Sequence, residues 1–483
     1  MLFNSAEFIF FFLPIVISLY WAMRLRSRGN AAKLVLVGSS LVFYGWWDPR
    51  YVPVMILTVC VNYAVSILIE RDDKRRMIWF AGAIAANLGL LSFFKYYDFA
   101  ATNLNNHFGW SITLHHFALP LAISFFTFQQ IAYIVEVYKD RKAADSFIDY
   151  SLFVMFFPHL IAGPITHHKE MLPQFKKAGH GALPPAVAAA GLAVFVIGLA
   201  KKVVVADTLA TFADPAFAAA GAGRALSAAS AWTGSLAYAF QIYFDFSGYS
   251  DMAIGLALLF GIRLPVNFAS PYKATSIIDF WRRWHISLSR FLRAYLYIPL
   301  GGNRHGTVRQ YANLFATMAI GGLWHGAGWT FIAWGALHGL YLVVNHGWRR
   351  VFGEAHGRAA TLLGRAATFA AVVVAWVPFR APTGDAATAM LAAMAGFGGA
   401  SASPSGPALA SIAAAAAMAF LAPNSLELAA YRQRLAPAAA EAAPLAPCRL
   451  RIPRPVAAAA LGAAAALALA MLPDPGVFLY FNF

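Results

Sequence analysis

Long apolar runs recur along the whole chain, and short polar stretches separate them. A run of roughly 17 to 25 apolar residues is long enough to cross the hydrocarbon core of a bilayer as a helix. The pattern therefore predicts about eleven transmembrane helices. They fall near residues 7–23, 31–47, 51–69, 77–94, 117–135, 184–206, 226–244, 312–345, 361–380, 408–424 and 456–473. The stretch 312–345 is long enough for two helices or for one broken helix.

Two shorter apolar segments, residues 149–165 and 251–262, lie between these runs. We expect them to be re-entrant or half-length helices, because irregular backbone at membrane depth is tolerated only where protein or a cavity surrounds it. The N-terminal stretch 1–16 has neither a basic region nor a small-residue cleavage site. We therefore expect it to be a retained first span rather than a signal peptide.

Composition agrees with this pattern. Hydrophobic residues make up 60% of the 483 residues and charged residues 12%, whereas a soluble domain carries roughly 25% charged residues. No soluble packing would bury so much apolar surface. We therefore expect an all-α, multi-pass integral membrane protein with re-entrant and interfacial helices. We expect a single membrane-embedded domain over residues 1–483, with its functional core at approximately 117–346.

The net charge of +16 is concentrated in short loops beside the predicted spans. The strongest basic loops are Arg71 to Arg76 and Lys139 to Lys142, and smaller clusters include Arg24 with Arg26. The positive-inside rule places these loops in the cytoplasm and residue 1 on the opposite, periplasmic side. Membrane lipid and topology account for the basic charge. No nucleic-acid partner is expected, although the pI is near 9.9.

The sequence contains no pattern typical of a metal or nucleotide site. Its two cysteines, Cys60 and Cys448, permit neither a disulfide framework nor a zinc site. The histidine pairs at 115–116 and 167–168 have no partner at zinc-ligand spacing, and there is no H-E-x-x-H motif and no Gly-rich phosphate loop. We expect no bound metal and no bound cofactor.

The apolar stretch GGLWHGAGWTFIAWGALHG, residues 321–339, contains two histidines. His325 lies within Gly322-x-x-x-Gly326, a spacing that lets another helix approach closely, and on a continuous helix Trp329 follows one turn later on the same face. Burial there favours the neutral imidazole that a general base requires. The alternative is a packing histidine with one hydrogen bond. His338 is turned about 140° away on the same helix, which favours a structural role.

The segment DFWRRWHISLSRFLRAY is strongly amphipathic if it forms one helix. The polar arc comprises Asp279, Arg282, Arg283, Ser287, Arg290 and Arg293. His285 lies at the boundary between this arc and the apolar one. One interpretation is an interfacial helix that anchors the protein to lipid. The other is that Arg282, Arg283 and Arg290, with Trp329, bind the phosphates of an anionic cytoplasmic donor.

These motifs, taken in order, resemble the membrane-bound O-acyltransferase (MBOAT) family, and within it the bacterial branch of alginate O-acetyltransferase membrane subunits. The resemblance covers nearly the whole chain. The matching segments are LFNSAEFIFFFLPIV (2–16), LPLAISFFTFQQIAYIVEVYK (119–139), FFPHLIAGPI (156–165), GLAKKVVVADTLA (198–210), YFDFSGYSDMAIGLALLFGIRLPVNF (243–268), FWRRWHISLSRFLRAYLYIPLGGNR (280–304), GGLWHGAGWTFIAWGALHG (321–339) and FLYFNF (478–483).

The resemblance implies a funnel-shaped enzyme of the bacterial inner membrane. It would take an acetyl or other acyl group from cytoplasmic acyl-coenzyme A, with acetyl-CoA as the expected donor. A periplasmic acetyltransferase partner would then acetylate the hydroxyls of a polysaccharide acceptor, an exopolysaccharide such as alginate. The family's catalytic histidine matches His325, and its second histidine matches His285.

Two other classes of function are compatible with the sequence. A secondary transporter or flippase would use Asp245, Asp251 and the histidines as a proton relay, but the inverted repeat common in transporters is not evident. The simpler interpretation of Asp245, Asp251 and Glu136 is that they lie near the ends of spans, where they pair with arginines or cap helices. The other class is a non-catalytic scaffold of a polysaccharide export complex.

Overall fold

The computed structural model describes residues 1–26, 29–177, 182–354, 356–399, 403–429, 453–472 and 479. Within these ranges the regular secondary structure is helical and contains no strand. The α-helices are α1 (Leu13–Leu25), α2 (Gly29–Gly45), α3 (Val52–Arg71), α4 (Arg76–Leu91), α5 (Tyr97–Phe108), α6 (Ile123–Asp140), α7 (Phe147–Met155), α8 (Phe157–Leu160), α9 (His168–Lys177), α10 (Pro185–Ala200), α11 (Asp207–Gly221), α12 (Ala228–Leu259), α13 (Ile277–Trp281), α14 (Ile286–Leu292), α15 (Gly306–His325), α16 (Trp329–Phe352), α17 (Arg358–Arg380), α18 (Gly384–Met394), α19 (Gly406–Phe420), α20 (Ser425–Leu428) and α21 (Arg454–Ala470). The all-α prediction is confirmed.

Several helices continue into turns of different pitch. The π-helical turns are Glu7–Phe12, Ser92–Tyr96, Lys201–Ala206 and Arg293–Tyr297, and the 3₁₀ turns are Pro49–Tyr51 and Pro271–Lys273. Single π turns inside α-helices are frequent at functional sites. One of them, Arg293–Tyr297, directly follows α14 in the segment that contains His285.

Five helical stretches of the described chain are long and apolar enough to cross a membrane. They are Glu7–Leu25, Pro49–Arg71, Arg76–Phe108, Pro185–Gly221 and Arg358–Arg380. Shorter apolar helices follow at Gly406–Phe420 and Arg454–Ala470. A helical membrane protein is therefore confirmed, whereas the number of about eleven spans stays a prediction.

Helix α12 corrects two of the predicted boundaries. It runs without interruption for 32 residues. The helix predicted at 226–244 therefore continues past residue 244, and 251–262 is not a separate half-length helix. The polar residues of this stretch were expected near span ends. They lie inside the helix instead, because lysines neutralise them: Lys202 pairs with Asp245 and Lys201 with Asp251, each at 2.8 Å. By contrast, 149–165 does form two short helices, α7 and α8.

The chain divides into two compact units, and each is described separately. Unit 1 comprises Met1–Phe195 and Met252–Pro265, and unit 2 comprises Val196–Asp251 and Val266–Phe483. The single domain over residues 1–483 stays a prediction. Both candidate catalytic histidines lie in unit 2.

Unit 1 is held together partly by buried amides. Asn62 of α3 donates to Gln130 of α6 at 2.9 Å, and Asn87 of α4 donates to Asn62 at 2.7 Å. Hydrogen bonds between polar side chains on neighbouring helices stabilise packing in membranes, where apolar contact alone distinguishes poorly between helix and lipid. These bonds join α3, α4 and α6.

The two strongest basic loops lie at the same end of unit 1. Arg141 approaches Asp73 at 3.4 Å, which joins the loop after α6 to the loop between α3 and α4. Lys169 in α9 contacts Glu136 at 2.8 Å and Asp140 at 2.7 Å. This arrangement is consistent with one membrane side for both loops, although which side that is stays a prediction. Glu136 pairs with lysine, as Asp245 and Asp251 do.

Candidate active site

His285 does not lie on a continuous amphipathic helix, so that prediction is wrong. Helix α13 ends at Trp281, a turn follows, and α14 begins at Ile286. His285 has a left-handed backbone, with φ +42°. The interruption follows from tertiary contacts of Asn267, whose carbonyl oxygen accepts from the Ile286 amide at 2.9 Å and whose Oδ1 accepts from the Ser287 amide at 3.3 Å. Asn267 thus holds the first turn of α14.

The His285 imidazole is enclosed. Its exposed fraction is 2%, and the rings of Phe246 and Phe268 lie 4.8 and 6.5 Å from it between centroids. Its Nδ1 lies 3.1 Å from Oδ1 of Asn267. His285 is outside the five candidate spans, and burial lowers the pKa of its imidazole to about 3, because an apolar environment disfavours the charged form. The imidazole is therefore neutral at pH 7.

His325 is the last residue of α15. Gly326 is extended, with φ −159°, and α16 starts at Trp329 after a short Gly-Ala-Gly connection. The stretch 312–345 is therefore two helices, which was one of the two expected outcomes. Because a helical wheel holds only within one helix, the prediction that Trp329 shares a face with His325 is wrong.

Glycines allow α15 and α16 to pack with their backbones in near contact. A Cβ placed on Gly322 would lie 2.2 Å from the carbonyl oxygen of Phe331 and 3.0 Å from Cα of Gly335. A Cβ on Gly335 would lie 2.3 Å from the carbonyl oxygen of Met318. The close helix approach predicted from the Gly-x-x-x-Gly spacing is confirmed. It brings the residues of α16 beside the end of α15.

Aromatic rings surround His325. Trp324, Trp334 and Phe379 lie 4.9, 5.0 and 5.3 Å away between ring centroids, and the exposed fraction of His325 is 6%. The His285 ring lies 6.5 Å from the His325 ring. Two buried imidazoles with apolar walls form a site in which proton transfer is possible while bulk water is excluded.

Comparison with known proteins identifies the group to which this site belongs. The sequence model of the membrane-bound O-acyltransferase family matches residues 144–379. A peptidoglycan O-acetyltransferase of Helicobacter pylori is 45% identical over 422 residues, which cover 82% of this chain and 80% of that protein. A probable alginate O-acetylase AlgI of Pseudomonas aeruginosa is 43% identical over 402 residues, which cover 82% and 75%. The chain belongs to the membrane-bound O-acyltransferase family. It is therefore an O-acyltransferase.

A more distant similarity extends to a D-alanyltransferase. A teichoic acid D-alanyltransferase of Streptococcus thermophilus is 29% identical over 243 residues, which cover 48% of this chain and 57% of that protein. Both His285 and His325 lie inside the segment that matches the MBOAT model. The recognition of the family from sequence motifs is confirmed.

The candidate donor-binding residues of this MBOAT protein lie on different elements. Arg282 is exposed in the turn after α13, whereas Arg290 is half-buried in α14. Arg283 pairs with Asp279 at 2.8 Å and donates to the carbonyl oxygen of Ala269 at 3.3 Å. Trp329 is 65% exposed at the start of α16. The turn at 282–285 therefore separates residues that a continuous helix would have aligned.

His338 lies in the same aromatic cluster as His325 rather than on an unrelated face. It is fully buried, and its ring and that of His325 each lie 5.0 Å from the Trp334 ring. The expected separation of about 140° assumed one continuous helix, and the break at 326–328 removes that assumption. Nδ1 of His338 accepts a hydrogen bond from Nε1 of Trp281 at 3.3 Å.

Sequence reasoning missed Asn267 and Trp334, although both contact a candidate histidine. A carboxamide within the otherwise apolar stretch LPVNFA was the available signal for Asn267. Trp334 offered none, because tryptophan is frequent in this region. Among the described residues, no group of three or more His, Cys, Asp or Glu side chains is arranged to hold a metal ion. Cys448 lies outside the described residues.

Proposed function

We propose that this enzyme takes an acetyl group from cytoplasmic acyl-coenzyme A and passes it across the bacterial inner membrane. A periplasmic partner then uses it to O-acetylate an exopolysaccharide such as alginate. The observation that carries the proposal is the buried pair His285 and His325, whose rings are 6.5 Å apart in a chain of this family. Acyl transfer to a hydroxyl needs a base, and neutral imidazole is the usual one.

In the proposed reaction, His325 removes the proton of the acceptor hydroxyl, and the oxygen of that hydroxyl attacks the thioester carbonyl. The new C–O bond forms, the C–S bond breaks, and the proton passes from the imidazole to the departing thiolate. General-base catalysis of this kind typically contributes about 10²- to 10⁴-fold to the rate. The rings of Trp324, Trp334 and Phe379 around His325 help to exclude the water that would hydrolyse the thioester.

The acyl donor carries phosphates, and arginine binds phosphates through paired N–H groups. Arg282, Arg283, Arg290 and Trp329 remain our candidates for the donor site. Arg282 is the strongest of these, because its side chain is exposed whereas Arg283 already pairs with Asp279. Arg282 lies three residues before His285 in the chain, and α14 begins directly after His285.

A polysaccharide acceptor agrees with the names of the relatives. Their names specify peptidoglycan, alginate and teichoic acid, which are all polymers outside the cytoplasmic membrane. A cytoplasmic donor and an external acceptor require that the acyl group cross the membrane. The positive-inside rule gives the proposed orientation, with the loops Arg71 to Arg76 and Lys139 to Lys142 in the cytoplasm.

The decisive experiment measures transfer of radiolabelled acetyl from acetyl-CoA by the purified protein, with and without its periplasmic partner. His325→Ala should abolish transfer while membrane insertion stays near parental, because an apolar residue replaces a polar one. His285→Ala should also be impaired. His305→Ala is the matched control, since His305 is exposed at the opposite end of α15.

Parental transfer by an inserted His325→Ala protein would remove His325 from the mechanism. Absence of acetyl transfer by the parental protein with its partner, under conditions in which cells acetylate their polysaccharide, would favour the transporter or scaffold class instead.

A further inference from the structure

The amide of Asn267 has an orientation that the surrounding donors define. Asn267 is fully buried. Its Oδ1 accepts from the backbone amide of Ser287 at 3.3 Å and from the Ser287 hydroxyl at 2.8 Å, while its Nδ2 donates to Oγ of Ser250 at 3.2 Å. A backbone N–H is always a donor, so the side-chain atom facing Ser287 is the oxygen.

This orientation determines where the His285 proton lies. The Asn267 oxygen accepts but cannot donate, and it lies 3.1 Å from Nδ1 of His285. Nδ1 must therefore carry the hydrogen. A neutral imidazole has one N–H and one acceptor nitrogen, so the acceptor lone pair of His285 is on Nε2. Asn267 also holds the backbone after His285, through the Ile286 amide.

We propose that Asn267 is a positioning residue that fixes the Nδ1–H tautomer and ring orientation of His285, so that Nε2 accepts protons in the acyl-transfer site. Ser250 on α12 and Ser287 on α14 in turn fix the Asn267 amide. His325 is a titratable group beside the His285 ring. This inference rests on the proposed function, because it gives His285 a role in acyl transfer.

The test compares Asn267→Leu and Asn267→Asp in the acetyl-transfer assay. Asn267→Leu removes the acceptor with little change in volume, so kcat should fall by about 10- to 100-fold, as for loss of groups that orient histidine ligands. Asn267→Asp keeps an acceptor for Nδ1–H and should be more active than Asn267→Leu. Its negative charge stabilises the imidazolium of His285. Because neutral His285 is the active form, the acid limb of the pH–kcat profile of Asn267→Asp should lie at higher pH than that of the parental protein.

Asn313→Leu is the matched control. Asn313 is another buried asparagine of unit 2, and it donates to the carbonyl oxygen of Gly302. Its replacement should leave kcat per folded molecule near parental. This control separates loss of a buried carboxamide from loss of the bond to His285.

Parental kcat in Asn267→Leu would overturn the inference while leaving the proposed function intact, provided that His325→Ala is inactive. An inserted Asn267→Asp protein that is no more active than Asn267→Leu, or one whose pH profile matches the parental profile, would also overturn it. If Asn267→Leu does not insert, the profile of Asn267→Asp decides alone. By contrast, activity in His325→Ala would reject the proposed function itself.

Discussion

A single methyl group on Gly322 should disturb catalysis without unfolding the protein. In Gly322→Ala the new Cβ would lie 2.2 Å from the carbonyl oxygen of Phe331, whereas ordinary contact begins at 3.4 Å. Helices α15 and α16 must therefore move apart locally by about 1 Å. His325 lies three residues further along α15, within the same packed end of the helix pair.

The expected magnitudes differ for stability and for rate. Overpacking typically lowers the free energy of unfolding by about 1–3 kcal/mol. Replacing a helical glycine by alanine raises it by up to about 1 kcal/mol, because alanine has the higher helix propensity. The net loss of stability is therefore small. A displacement of about 1 Å at a reacting group can lower the rate by about 10²-fold. We therefore expect kcat for acetyl transfer to fall by up to about 10²-fold.

Gly321→Ala provides a control at the neighbouring position. Its new Cβ would meet Cδ1 of Leu292 at 3.2 Å, which is the mobile end of a flexible side chain. The assay is acetyl turnover per inserted molecule, with thermal melting measured on the same samples. If Gly322→Ala and Gly321→Ala have equal kcat, the glycine contact between α15 and α16 does not position His325.

Three further results are expected. Arg282→Gln should raise KM for acyl-coenzyme A more than it lowers kcat, because a phosphate contact contributes to ground-state and transition-state binding alike; unchanged KM would favour lipid anchoring. Lys202→Met should lower stability by about 3–5 kcal/mol, because it removes the counter-charge of the buried Asp245 carboxylate. Thermal melting should show a far smaller loss of stability for Lys176→Met, because Lys176 pairs with Asp145 at an exposed position. Equal losses of stability in the two variants would contradict this. Single cysteines at Lys74 and Lys142 should both react with membrane-impermeant reagent applied from the cytoplasmic side only; labelling of either from outside would overturn the orientation.

Much of the architecture followed from the sequence because membrane burial leaves a strong pattern. Long apolar runs predicted the helical membrane class, and the Gly322-x-x-x-Gly326 spacing predicted a close helix contact that the structure contains. The motifs also brought His285 and His325 into one expected site, and their rings do lie close together. These predictions depend on local composition or on motif order.

The predictions that failed assumed helix continuity. The helical-wheel projection of the basic segment assumed one continuous helix through His285. Asn267, which precedes this segment in the chain, instead holds the first turn of α14, and the helix is interrupted at His285. The wheel for His338 required one helix through 326–328, where the backbone is extended. Conversely, Asp245 and Asp251 were placed near span ends, although partner lysines allow both carboxylates inside one long helix. Such tertiary partners leave no periodic signal.

His338 shows why burial of an imidazole alone does not make a general base. Its Nδ1 lone pair already accepts from the Trp281 indole N–H at 3.3 Å, so in the neutral ring the proton is on Nε2 and no second acceptor nitrogen remains. In His285, by contrast, the bond from Nδ1–H to Asn267 puts the acceptor lone pair on Nε2. We therefore expect His338→Ala to lower thermal stability by about 2–5 kcal/mol through the cavity left among aromatic rings, while kcat per folded molecule stays near parental. Loss of acetyl transfer in a His338→Ala protein that melts like the parent would contradict this structural assignment.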